Sequence, residues 1–166
     1  MFEIGQFIVY GNNGVCKVVD IGTIDMDGIS KERLYYTLEP YYVKGSRILT
    51  PTDNTKMVMR PLMTREDAEK LFQQIKHIEM LWIPEEKKRE EAYKSGIATC
   101  DWYEWMKVIK TIYFRQQKRM EEGKKITVSD ERYFKLAENC LYSELAVVFN
   151  ITKEEAKDYM LQKMEE

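Results

Sequence analysis

The stretch MVMRPLMTREDAEKLFQQI, residues 57–75, contains a change of period. Met57 to Arg60 reads as the last of a series of short strands. Beyond Pro61, Ala68, Leu71, Phe72 and Ile75 recur at the 3.6-residue spacing that places them on one face of a helix, which Thr64 can cap. Strand signals lie only upstream of this point and helix signals only downstream. The sequence therefore predicts an α+β chain of two domains, residues 1–61 and 62–166, joined by a short connection.

Working back from Met57, the runs Phe7 to Tyr10, Val15 to Ile21, Leu34 to Glu39 and Arg47 to Thr50 are rich in β-branched and aromatic residues. Turn residues separate them. Asn12-Asn13-Gly14 and Asp27-Gly28 supply residues able to take positive φ, as tight turns require. Short strands at this spacing predict a small β-barrel.

Working forward from Ile75, Pro84 suits the first turn of a second helix that runs to Ser95 and ends at Gly96. Only Ala92 and Tyr93 offer that helix an apolar anchor, so it reads as poorly buried. Asp101 with Glu104 opens a third helix that carries Trp105, Val108, Ile109, Ile112 and Met120 inward and stops at Gly123. Ser129 opens a fourth, to about Phe149. Thr152 with Glu155 opens a fifth, ending near Met164. An all-α bundle of about five helices is expected.

Composition narrows the function classes. The chain has 166 residues, 44% of them hydrophobic, and a formal net charge of -2. That is enough apolar material for packed cores, and total charge gives no sign of a nucleic-acid partner. Cys16, Cys100 and Cys140 are too far apart for a disulfide framework or a zinc site, which fits a reducing cytoplasm. No stretch has signal-peptide or membrane-span character, predicting a chain neither exported nor inserted in a bilayer. His77, the single histidine, has no cysteine or acid pair at metal-ligand spacing around it, and Gly11 to Gly14 lies between strands rather than at a helix start. The acid pairs Glu85-Glu86, Glu90-Glu91 and Glu121-Glu122 are interleaved with lysine and arginine, as on a solvated helix face. No enzyme chemistry, metal or cofactor is expected. Tyr35, Tyr36, Tyr41 and Tyr42 could line a small-molecule cage, but at strand spacing they read as barrel core and surface.

Two features leave alternatives open. Trp82 stands where a hydrophobic staple would pack on Lys87, which is no partner for it; the indole either packs on another helix beside Leu81 and Ile83 or stands exposed at the helix entrance. Residues 107–125 carry seven basic side chains against two acidic, a formal +5, while residues 126–166 carry five against nine, a formal -4. A basic run of that kind is either a solvated helix face or a surface that attracts phosphates.

Four segments, in order, carry a family resemblance. Phe2-Glu3-Ile4-Gly5-Gln6, with Val9-Tyr10 and Gly14, is similar to the opening F-x-x-G-D-x-V-V-Y-P-x-H-G of the CarD family; Pro51-Thr52-Asp53-Asn54 matches its P-x-[DE]-N. Trp82 lies fourteen residues before Gly96, the spacing of the family tryptophan from its helix end. Glu131-Arg132, Leu136-Ala137, Leu141 and Glu144-Leu145-Ala146 resemble its late-helix pattern. Gly11 and Asn13 replace the family's Pro and His, so the first turn should differ.

The resemblance implies a Tudor-like N-terminal barrel that docks on the RNA polymerase β subunit by adding an edge strand, near residues 44–50, to the polymerase sheet. Expected polymerase contacts are Ile24, Arg47, Ile48 and Leu49; some family members carry basic residues where Ile24 and Leu49 stand here, which predicts a more apolar contact. The helical domain is then expected to face the upstream edge of the promoter bubble, with Trp82 as a wedge and Lys87, Arg115 and Arg132 contacting the DNA backbone. Pro84 and Glu85 stand where relatives carry arginines, so affinity for DNA alone should be low. The implied activity is modulation of open-complex stability by a cytoplasmic monomer, with strand exchange through the same edge as its route to a dimer. The alternative is a protein-only adaptor whose helical domain never touches DNA.

Overall fold

The computed structural model describes residues 1–166. The chain divides into two compact units, Met1–Leu62 and Met63–Glu166. The first is β and the second is α, as the change of period at Pro61 requires.

The N-terminal unit holds β1 (Phe7–Tyr10), β2 (Val15–Gly22), β3 (Tyr35–Pro40), β4 (Ile48–Pro51) and β5 (Met59–Pro61). They form one antiparallel sheet in the order β4-β3-β2-β1-β5, so β4 and β5 are its end strands. Alternation places Ile8, Tyr10, Cys16, Val18, Tyr36 and Leu38 in one core, with Ile48 and Met59 packed against it. A register shift between Val18 and Asp20 lets Ile21 rejoin the same core despite its odd number. The β1–β2 turn is a 3₁₀ turn over Gly11–Asn13, with Gly11 at φ +43°. Proline, fixed near φ -65°, cannot take that conformation, so the turn departs from the family pattern. The four tyrosines do not converge on a cage. Tyr36 is core, whereas Tyr41 and Tyr42 are exposed and pack edge to face at 4.9 Å.

The helical unit contains α1 (Arg65–Gln74), α2 (Glu86–Ala98), α3 (Trp102–Glu121), α4 (Val128–Phe149) and α5 (Lys153–Glu165). Thr64 and Asp67 form a reciprocal capping box; Asp101 accepts from the Tyr103 N–H, and Thr152 from the Glu155 N–H. Trp105, Met106, Ile109, Ile112, Leu141 and Leu145 are fully buried and form the centre of the unit. No helix is long and apolar enough to cross a membrane.

Several boundaries differ from expectation for identifiable reasons. Helix α4 is capped by Thr127, whose hydroxyl accepts from the Asp130 N–H, rather than opened by Ser129. Helix α2 starts after Pro84 and runs through Gly96, which is buried against α3; a Cβ there would meet Val108 Cγ2 at 3.2 Å. Gly96 is a close-packing position, not a stop. Met120 is exposed on the last turn of α3. The buried face of α2 is Arg89, Tyr93 and Gly96, so the helix is better anchored than its apolar content suggests.

Candidate nucleic-acid interface

Residues 79–85, between a 3₁₀ turn at Ile75–His77 and α2, carry Trp82 in a segment without helix or strand. Its backbone is held on both sides of the tryptophan. The Leu81 N–H donates to Thr111 Oγ1 (3.0 Å), and the Thr111 hydroxyl donates to the Lys107 carbonyl (2.7 Å). Arg89 Nη1 donates to the carbonyls of Ile83 (3.1 Å) and Pro84 (3.2 Å). The indole itself is 78% exposed, which decides between the two sequence readings: Trp82 is a surface aromatic on a fixed backbone.

A cleft of about 230 Å³ opens beside it, lined in part by Trp82, Ile83, Arg89, Phe114, Arg115 and Lys118. Its walls are largely apolar and its charged groups are cations. Phe114 is a second aromatic partly open to solvent. Lys118, one helical turn from Phe114 on α3, is exposed. Arg115 is committed elsewhere: its Nε lies 2.7 Å from Asp130 Oδ2, a carboxylate buried at the start of α4. Among the four residues expected to contact DNA, Trp82 and Arg115 line the cleft. Lys87 is exposed on the first turn of α2, and Arg132 is exposed with its guanidinium 5.5 Å from the Tyr133 ring; neither lines the cleft.

The basic run of residues 107–125 does not form one charged face. Lys110 is buried and donates to the carbonyls of Ile75 (2.7 Å), Lys76 (3.1 Å) and Ile78 (2.9 Å), closing the C-terminal end of the α1 segment. Burial lowers its pKa. Arg119 donates to the Lys125 carbonyl, and Lys124 pairs with Glu122. Arg89 and Asp130 are not legible as members of this site, because apolar periodicity does not register a buried arginine or carboxylate; Lys118 is legible only as one charge of the basic run, and Phe114 on its own not at all. The i,i+4 spacing of Phe114 and Lys118 was the available signal.

In the sheet unit, β4 pairs only with β3. Leu49 is 51% exposed and Arg47 is exposed, whereas Ile48 packs on the core. Ile24 is half-buried in the connection after β2. The Thr52 N–H donates to the Leu34 carbonyl (3.0 Å), so residues 50 and 48 make the inward ladder bonds in alternation and the Leu49 amide and carbonyl face the free edge. Proline at position 51 sits where its missing N–H would also have faced outward.

Residues 2–63 match the CarD-like/TRCF RID domain, and residues 70–161 match the CarD C-terminal domain. The chain belongs to the CarD family. No curated protein matches it. Membership makes this CarD-family chain an RNA polymerase-interacting transcription regulator of a non-enzymatic family. No group of three or more His, Cys, Asp or Glu side chains is arranged to hold a metal.

Proposed function

We propose that this CarD-family protein docks on the RNA polymerase β subunit through the free edge of β4, in the cytoplasm, and presents Trp82 to promoter DNA at the upstream edge of the bubble. The observation that carries the reading is the exposed indole on a backbone tethered at Leu81, Ile83 and Pro84, beside a largely apolar cleft whose charged groups are cations. An aromatic so placed can lie against a distorted, partly unstacked base step, and Lys118, which lines the same cleft, is the cation offered to a phosphate. In the docking unit, Leu49 and Arg47 supply the side chains and the Leu49 backbone the strand-adding groups, with half-buried Ile24 as a further apolar contact from the connection after β2.

The effect on transcription follows from linkage. A protein that binds the open complex better than the closed one shifts the equilibrium by the difference alone, and the sign of regulation depends on which step limits a given promoter. The test is open-complex lifetime with polymerase from the source organism, comparing wild type, Trp82→Ala and no added protein. A lifetime lengthened by wild type and not by Trp82→Ala, at equal polymerase binding, is the expected result. Equal loss of docking and lifetime in the variant would defeat this division of labour.

The protein-only adaptor is the second reading, favoured by the commitment of Arg115 and Lys110 to partners within the fold. It predicts no photocross-link between a probe at Trp82 and promoter DNA in the assembled complex.

A further inference from the structure

We infer that Arg89 and Asp130 are positioning residues for Trp82, holding its loop in place through a buried charged brace that spans three helices. The inference rests on the DNA-facing reading of Trp82 for its functional consequence. Its structural part stands alone.

Arg89 lies on the buried face of α2, its side chain 7% exposed, at a position where packing alone would be met by an apolar residue. Its Nη1 reaches the Ile83 and Pro84 carbonyls, the two that follow Trp82 directly. Its Nε stands 3.9 Å from Asp130 Oδ1, while the other oxygen of that carboxylate takes Arg115 Nε from α3. Asp130 is itself fixed at the first turn of α4, where its N–H donates to Thr127 Oγ1. Tyr93, one turn along α2 from Arg89, is buried in the same region. Burial first, and then the Asp130 carboxylate, push its hydroxyl pKa up to about 12.

An exposed indole has little packing of its own to fix it. Its direction is therefore set by the backbone on either side, and on the C-terminal side that backbone is held by Arg89. A guanidinium suits this task because Nη1 serves the two carbonyls while Nε, at another point of the same rigid plane, faces the carboxylate; an ammonium would have to meet all three groups from a single nitrogen. Two guanidinium groups against one carboxylate also leave net positive charge in the cleft wall. Pre-set geometry lowers the ordering cost that a flexible loop would meet on binding.

The experiment uses the full chain labelled with 5-fluorotryptophan, whose three fluorine resonances come from Trp82, Trp102 and Trp105 and are assigned with Trp82→Phe. Arg89→Lys keeps the charge and loses the fork; Asp130→Asn removes the brace but is the variant at greater risk of not folding. The expected result for Arg89→Lys is a shifted, broadened Trp82 resonance with the Trp105 resonance unmoved, loss of the open-complex lifetime gain to the level of Trp82→Ala, and unchanged affinity for polymerase. A Trp82 resonance that does not move overturns the positioning role. Movement of the Trp82 and Trp105 resonances together makes Arg89 a general structural residue and overturns it equally. A moved Trp82 resonance with the lifetime gain intact upholds the brace and defeats instead the DNA-facing reading of Trp82.

Discussion

Arg115 Nε and Asp130 Oδ2 lie 2.7 Å apart, with the Asp130 side chain only 2% exposed. Removing Arg115 leaves a buried carboxylate short of its nearest cation, a loss of about 2 kcal/mol once the partial exposure of Arg115 is allowed for. Arg115→Ala is therefore expected to lower the urea midpoint of the helical unit. Its effect on the salt dependence of promoter binding should be smaller than that of Lys118→Ala, because only an uncommitted cation releases a counterion on meeting a phosphate. A larger salt effect from Arg115→Ala would return Arg115 to the DNA backbone.

Lys110 gives a second case of a basic residue spent inside the fold. Its ammonium serves the Ile75, Lys76 and Ile78 carbonyls. Lys110→Met matches the stem length and removes the donor, leaving the Ile78 carbonyl without this partner and the Ile75 carbonyl with only the long bond from the Ile78 N–H, at a cost of about 2 kcal/mol. Hydrogen exchange localises the effect: faster exchange is expected at the C-terminal end of α1, with the N-terminal turn of α4 unchanged.

Gly96 packs so closely on α3 that a methyl group would crowd Val108 Cγ2. Helix propensity alone favours Gly96→Ala by about 1 kcal/mol. The substitution is expected to deliver less than that in the wild-type background and recover the difference when combined with Val108→Ala, a coupling of about 1 kcal/mol in a double-mutant cycle. Additive effects of the two substitutions would show that the contact relaxes without cost.

These residues mark where the sequence was and was not legible. Strand and helix order, the caps at Thr64 and Thr152 and the stop at Gly123 follow from local rules that act within a few residues. Gly96 misled because glycine both ends helices and admits close neighbours, and only the position of Val108, twelve residues along, separates the two uses. Trp82 was ambiguous because exposure depends on what the rest of the chain leaves uncovered. The basic run was legible as charge and illegible as surface, since Lys110 and Arg115 are spent on a carbonyl cluster and a carboxylate contributed by other elements.

Glu138, on α4 beside α5, provides a pH signature. Burial raises its pKa above the ordinary 4.5, against the pull of Lys157, whose Nζ is 3.8 Å from Oε2. The folded state therefore holds this proton more tightly than the unfolded state. Stability from Glu138 is fully present below pH 4.5 and is lost as pH rises through the raised folded value. Glu138→Gln cannot lose a proton, so the difference in urea midpoint, variant minus wild type, is expected to grow as pH rises from about 4 to 7. A difference that stays flat would mean that Lys157 fully offsets the burial.

The edge of β4 allows the docking proposal to be tested at the backbone rather than at a side chain. Leu49 directs its N–H and carbonyl away from β3, so replacing it with proline deletes one outward donor and no ladder bond. Ile48 already has strand conformation, as the residue before a proline prefers. Leu49→Pro should therefore leave the sheet folded, with hydrogen-exchange protection of β2 and β3 close to wild type. If a partner strand pairs along this edge, the variant loses about tenfold in affinity for polymerase, the scale of one net hydrogen bond plus a strand forced aside by the ring. Leu49→Ser keeps the donor and should lose less, since strand addition depends on the main chain more than on the side chain. A greater loss from Leu49→Ser than from Leu49→Pro would mean that docking is a side-chain contact on this face and not an extension of the sheet.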